Sequence, residues 1–173
     1  MGILNQLEEL RFRNYELKSV ALAALFCLDS NMTLKIISYN SPEYHEMLAL
    51  RYRILREPLG LNFSEEDLQR EQDDIFIACL EDGHITGCCI LTRLSAEAIK
   101  LRQMAVDNHR QGKNVGRNIV LFAEQYATEH GYSTIKLNAR KTAVAFYSKC
   151  GYTVVGEEFM EIGIPHFLMI KQL

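Results

Sequence analysis

The sequence predicts an α/β (α+β) domain built on a mixed, mostly antiparallel sheet of about six to seven strands flanked by helices. Three observations lead there. Ile75–Leu80 and Ile85–Leu94 are β-rich runs joined by Glu81-Asp82-Gly83-His84, whose Asp-Gly step signals a tight hairpin. A third β-rich run, Ala98–Val106, follows closely and completes an antiparallel meander. Beyond it strand, helix, strand, helix and strand alternate, an order that mixes parallel with antiparallel pairing and needs helical cover on the sheet.

Each element has a local reason. Thr33–Tyr39 alternates as a strand; Ser41-Pro42 then supplies an N-cap and a proline at the first helical position for a helix over about residues 43 to 56. Ser64-Glu65-Glu66-Asp67 reads as a second helix start. On Ala98–Val106 the alternation places Ile99, Leu101 and Gln103 on one face and Lys100, Arg102 and Met104 on the other. A helix from about Val115 to His130 turns Ile119, Val120, Phe122, Ala123 and Tyr126 inward and stops at Gly131. Ser133–Asn138 is the next strand, Thr142–Cys150 a helix closed by Gly151, and Tyr152–Val155 and His166–Lys171 are further strands.

The 173 residues suit one domain plus an appendage, and a core of that size needs neither disulfides nor a structural metal. Nineteen Lys and Arg against 22 Asp and Glu give a net charge of −3, without the basic excess that nucleic-acid binding requires. The five cysteines, Cys27, Cys79, Cys88, Cys89 and Cys150, form no C-x-x-C pair, which argues against a zinc site and a disulfide framework and for a reduced, cytoplasmic setting. The longest apolar run, Val20–Leu28, is far short of the roughly 20 residues that span a bilayer, and the mixed charges before it do not suit a signal peptide, so no membrane partner is expected. Ile3, Leu7, Leu10, Asn14, Leu17, Ala21, Ala24 and Leu28 recur at spacings of four and three. Residues 1–31 therefore read as an amphipathic helical arm, packed on the domain or on a second chain in a homodimer; the alternative is a non-native extension before a start at Met32. Residues 32–173 are the domain proper.

The segment Asn108-His109-Arg110-Gln111-Gly112-Lys113-Asn114-Val115-Gly116-Arg117 carries the first functional signal. Gly112 frees the backbone to turn, and Asn114 tolerates positive φ. A strand-loop-helix of this kind aims unpaired N–H groups and the positive end of a helix dipole at one point, which suits a phosphate or pyrophosphate. Arg110, Lys113 and Arg117 add charge. The loop matches neither the P-loop nor the dinucleotide fingerprint.

Here the sequence resembles the GNAT superfamily of acyl-CoA N-acyltransferases, whose loop follows Q/R-x-x-G-x-G/A. Gln111-Gly112-Lys113-Asn114-Val115-Gly116 fits that pattern with Asn114 where the first glycine is expected. The resemblance implies that amides of Gln111, Gly112, Lys113, Asn114, Val115, Gly116 and Arg117 hold the diphosphate of acetyl-CoA, and that Met104, Ala105 and Val106 pair with its pantetheine arm as an added strand. A second segment, Asn138 to Tyr152, is similar to the family's A-x-x-F-Y-x-x-x-G-F/Y, here Ala143-Val144-Ala145-Phe146-Tyr147-Ser148-Lys149-Cys150-Gly151-Tyr152. Phe146 and Tyr147 point about 100° apart on a helix, one toward core and one toward a cleft. The resemblance makes Tyr147 the general acid for the leaving thiolate and Asn138 a partner of the pantetheine amides.

The tail resembles the G-I-P-H segment of the ElaA-like branch, here Gly163-Ile164-Pro165-His166, which makes His166 a candidate to bind acceptor or pass a proton and Glu161 a candidate to hold an ammonium. Arg51, Arg53 and Arg56 read as a solvated basic helix face, with an anionic acceptor as the alternative; His45, Glu97, Asp107 and His109 are further candidate bases that spacing does not rank. The reaction implied is direct transfer of an acetyl group from acetyl-CoA to the amine of a small molecule or peptide, with no organised cysteine nucleophile. The alternatives are a non-catalytic acyl-CoA binding module and a nucleotide-binding regulator.

Overall fold

The computed structural model describes residues 32–173, so the amino-terminal seam and Cys27 lie outside the described residues. In chain order the elements are β1 (Met32–Ile37), α1 (Pro42–Arg51), α2 (Glu65–Gln69), β2 (Ile75–Glu81), β3 (His84–Arg93), β4 (Ala98–Val106), α3 (Val115–Glu129), β5 (Thr134–Arg140), α4 (Val144–Lys149), β6 (Thr153–Val154), β7 (Phe159–Glu161) and β8 (Ile164–Gln172). The Ser41 side chain caps α1 by accepting the Tyr44 N–H, with Pro42 in the first turn, and the Ser64 hydroxyl does the same for α2. The helix expected to run on to residue 56 changes pitch instead. After Arg51 it widens into a π-helical turn over Tyr52–Arg56 and tightens at Glu57–Leu59.

The strands form one eight-stranded sheet in the order β1-β2-β3-β4-β5-β8-β6, with β7 paired to β8. The strand absent from the sequence reading is β7, three residues long. All pairings are antiparallel except β4 with β5. The β2–β3 hairpin turns at Asp82 (φ 51) and Gly83 (φ 82), the positive-φ pair that the Asp-Gly signal demanded.

One face of the sheet is covered by α3, whose Val115, Ile119, Val120, Phe122, Ala123 and Tyr126 are buried against Ile77, Leu91, Leu101 and Leu137. The opposite face is covered by α1, which sets Tyr44, Met47 and Leu50 against Phe76, Ala78, Cys88 and Ile90. Gly87 lies where α3 crosses β3: a Cβ there would fall 2.7 Å from both Ile119 Cδ1 and Val115 Cγ1.

The face assignment expected for β4 holds only for its first half. Cys88 pairs with Ala105 and Ile90 with Arg102, so one residue of β3 faces two of β4, a β-bulge centred on Gln103 at φ 50. Ile99 and Leu101 face α3 as expected, but after the bulge the alternation inverts. Gln103 turns to the α1 side, and Met104 and Val106 pack toward α3. The same strand parts from its neighbour: pairing of β4 with β5 is confined to Ala98–Lys100 against Thr134–Lys136. Beyond Lys100 the two strands diverge, and the edge of β4 facing β5 opens into a cleft.

Candidate active site

Two adjoining cavities occupy that divergence. The one at the α3 end has a volume of about 580 Å³ and is lined by Arg110, Gln111, Gly112, Asn114, Val115, Gly116 and Arg117. The other, of about 400 Å³, lies toward β7 and β8 and is lined by Tyr147, Asn138, His166, Glu161, Arg56 and Arg140 among others. Met104, Val106, Gln111, Ala143 and Phe146 border both, so the two form one trough across the split sheet.

The loop opening α3 has the predicted backbone. Gly112 (φ 78) and Asn114 (φ 61) are left-handed, and Asn114 precedes Val115, Gly116 and Arg117, whose N–H groups have no intrahelical acceptor. The entry to the loop is fastened twice. Asp107 Oδ1 accepts the His109 N–H at 2.9 Å while its other oxygen receives Arg53 at 2.6 Å, and Gln111 Nε2 donates to Val106 O at 3.3 Å. The His109 amide, and then Arg53, hold the Asp107 carboxyl below its usual range. Of the three loop cations, Arg110 is spent on Glu81 at 2.7 Å, Arg117 lines the cavity, and Lys113 stands on the exposed outer side. Ala105 is buried on the α1 side and lines neither cavity.

Tyr147 is 8 % exposed, and burial pushes its phenol well above the ordinary range, so it keeps its proton. Its hydroxyl donates to the Met104 sulfur at 3.5 Å. Phe146 beside it walls both cavities, so both rings reach the trough instead of one filling the core and the other facing a cleft. His166, 5 % exposed, places Nδ1 at 2.8 Å from Ile164 O, so Nδ1 is the ring nitrogen that donates to this carbonyl and Nε2 is the one left without that partner. Asn138 Nδ2 donates to Glu161 Oε2 at 2.6 Å, joining β5 to the β7–β8 hairpin. His45, Glu97, Asp107 and His109 line neither cavity.

Arg51 corrects the expectation of a solvated basic face. It is fully buried, its guanidinium held by Glu71 Oε2 at 2.9 Å and Oε1 at 2.6 Å and by Gln103 Oε1 at 2.9 Å. Glu71, also fully buried, accepts in addition from the Tyr44 hydroxyl and the Gln103 amide. The turn that carries Glu71 offered no apolar pattern to mark it as an inward residue. Arg53 and Arg56 part ways, the first to Asp107 and the second into the trough. Among the described residues no group of three or more His, Cys, Asp or Glu could hold a metal ion.

Residues 60–173 match the family described as acetyltransferase (GNAT) domain. The chain belongs to the GNAT acetyltransferase family. YyaT of Bacillus subtilis, an uncharacterized protein, is 30% identical over 147 residues, which cover 82% of this chain and 97% of the relative. Two solved structures share the GNAT fold. Escherichia coli ElaA superposes with a TM-score of 0.70 at 18% identity over 82% of this chain and 99% of its own. A GNAT family acetyltransferase from Elizabethkingia anophelis with acetyl-CoA bound gives 0.66 at 16% identity over 84% and 100%.

Proposed function

We propose that residues 32–173 form an N-acetyltransferase domain that moves an acetyl group from acetyl-CoA directly to the amine of an acceptor. The observation that carries this reading is the split between β4 and β5, with free helix N-terminal amides at one end of the trough and a buried phenol at the other.

The amides of Val115, Gly116 and Arg117 and the positive end of α3 suit a diphosphate, with Arg117 supplying charge. The unpaired edge of β4 at Met104, Ala105 and Val106 suits the amides of the pantetheine arm as an added strand, and N–H groups on that edge suit the thioester oxygen as charge develops there. Tyr147 already donates to a sulfur in this structure, and a thiolate is a stronger acceptor than a thioether. The acceptor amine loses its proton to His166 Nε2 or to water.

Direct transfer is supported by the thiols. Cys88 and Cys89 are fully buried and line neither cavity, and burial pushes Cys88 up to about 12. Cys150 borders the α3-end cavity, but burial raises its pKa as well. The free cysteines also favour a reducing, cytoplasmic setting, and no helix among the described residues is long and apolar enough to cross a membrane. Residues 1–31 are proposed as an arm; an intact mass on the native protein showing a chain that begins at Met32 would remove it.

Turnover of acetyl-CoA against small amines, amino acids and peptides, followed by released thiol, tests the assignment. Tyr147→Phe is expected to lower kcat by about a hundredfold while the acetyl-CoA Kd stays within twofold. Tight acetyl-CoA binding with no transfer to any amine would leave a non-catalytic binding module.

A further inference from the structure

The cavity at the β7–β8 end of the trough has a wall of positive charge, most of it outside any ion pair. Arg56, Lys100 and Arg140 all line it, all are half-buried, and among the described residues none is in an ion pair within 4.0 Å. The neighbouring arginines behave differently: Arg51 is satisfied by Glu71, Arg53 by Asp107 and Arg102 by Asp74. Arg102 lines the cavity as well but is neutralised by Asp74, which leaves Arg56, Lys100 and Arg140 as the lining cations without an ion pair.

The two arginines are also fixed in place. Arg140 Nη2 donates to Leu55 O at 3.2 Å, and Arg56 lies 4.8 Å over the Phe63 ring. Lys100 stands in register with Lys136 on β5, so its nearest strand neighbour repels it. Burial, and then repulsion from Arg51 and Arg140, hold the Arg56 guanidinium below its usual range against the weaker attraction of Asp67 and Glu161. Among the described residues Glu161 is the only carboxylate lining the cavity, and the Asn138 amide occupies one of its oxygens. His166, across from Arg140 in the β5–β8 register, supplies no negative charge. Like charges held together in a partly desolvated cavity raise the energy of the empty site, and a negatively charged ligand lowers it.

We propose that the acceptor is a small amine that also carries an anionic oxygen group, a carboxylate or a phosphate, bound by Arg56 and Arg140 with Lys100 completing the positive wall. The proposal rests on the acetyltransferase reading and narrows its acceptor. Guanidinium pairs suit such groups because each presents a fork of N–H donors to two oxygens. The cavity of about 400 Å³ matches a small molecule, and polycationic amines are disfavoured.

The test is acetyl-CoA-dependent thiol release with matched acceptors: β-alanine and 4-aminobutyrate against their amides, O-phosphoethanolamine against ethanolamine, and spermidine as a polycation. The anionic member of a pair is expected to have a kcat/KM about tenfold to a hundredfold above its neutral partner, and whichever anion shows the larger ratio identifies carboxylate or phosphate. In Arg56→Met and Arg140→Met that ratio is expected to fall toward one, with Arg140→Lys retaining part of it. Calorimetric binding of β-alanine and O-phosphoethanolamine to free and CoA-saturated protein is measured in parallel. If no acceptor turns over, at least tenfold weaker binding to Arg140→Met still supports the proposal, and equal or absent binding overturns it. Preference for neutral amines or spermidine, with acetyl-CoA consumed normally, overturns the anionic acceptor and leaves the acetyltransferase standing. Failure to bind acetyl-CoA brings down the acetyltransferase reading instead, and the binding measured on the free protein then decides the anion site separately.

Discussion

Glu71→Gln is the perturbation whose cost the structure defines best. Arg51 and Glu71 are both 0 % exposed and share two hydrogen bonds, while Glu71 takes further ones from Tyr44 and Gln103. Replacing the carboxylate leaves a buried guanidinium facing two neutral amide oxygens and the Phe63 ring at 4.8 Å. Removing one partner of such a pair costs about 3–5 kcal/mol, a large part of a total stability of about 5–15 kcal/mol. At roughly 2 kcal/mol per molar of urea, the midpoint should fall by roughly 2 M. Far-UV circular dichroism is the probe, since the chain has no tryptophan. Arg51→Met with Glu71→Leu should recover only part of the loss: no charge is left stranded, but the Tyr44 hydroxyl and the Gln103 side chain lose their buried partners. Glu66→Gln is the surface control: its ion pair with Arg70 is 3.8 Å long and mostly exposed, so no shift in midpoint is expected. A loss below about 1 kcal/mol for Glu71→Gln would show that water reaches Arg51 and that the buried network is not what it looks like.

Three further outcomes follow from single contacts. Gly87→Ala drives a Cβ into Val115 and Ile119 at 2.7 Å, which should cost about 1–3 kcal/mol and shift the first turn of α3; the KM for acetyl-CoA should rise more than that for acceptor, as steady-state kinetics with each substrate varied will show. Burial raises Cys79 to about 11 and Cys88 to about 12, so a colorimetric thiol titration at pH 8 should leave both unreacted until denaturant is added. Because the unfolded chain releases these protons near pH 8.5 and the folded chain holds them, their stabilising contribution is complete below that pH and declines as pH rises through 11 to 12, which urea midpoints across pH 8–11 should track. Ile162→Asn relieves a β-branched residue at φ 48 in the β7–β8 turn and should stabilise by about 1 kcal/mol, while removing an apolar side chain from the acceptor cavity and raising the acceptor KM; an unchanged thermal midpoint would contradict the strain.

What was legible in the sequence was what local chemistry announces. The Asp82-Gly83 turn, the Ser41-Pro42 and Ser64 caps and the apolar stripe of α3 all formed as read, because each depends on neighbours within a few residues. The left-handed Asn114 was legible for the same reason. The bulge at Gln103 was not, since it is set by the register of β4 against β3 and by a buried partner 52 residues away. Arg51 looked like one of three equivalent basic residues, and only packing sorts them into a buried pair, an anchor for Asp107 and a cavity wall. The β7–β8 turn was missed because Ile162-Gly163 lacks the Asn or Asp that normally marks such a hairpin.

Among the described residues five non-glycine residues have positive φ, and Gln103, Asn114 and Ile162 are the three that line the trough. A left-handed residue costs about 1–2 kcal/mol unless its side chain compensates, so the concentration of such residues around one cavity calls for three separate explanations. Asn114 carries its own, being a residue type that tolerates the region. Gln103 is compensated from outside: hydrogen bonds to a charged group contribute about 1.5–3 kcal/mol each, and Gln103 bonds to both Arg51 and Glu71, which outweighs the backbone cost. The buried ion pair therefore stabilises the bulge that turns Met104 and Val106 into the trough. Gln103→Gly would remove the strain and the hydrogen bonds together, and because the second quantity is the larger, the substitution should destabilise the protein and loosen β4 where the pantetheine arm is proposed to lie. Ile162 has no such partner, so its strain is held only by the hairpin on either side, and the gain its removal offers in stability is set against the wall it provides to the acceptor cavity.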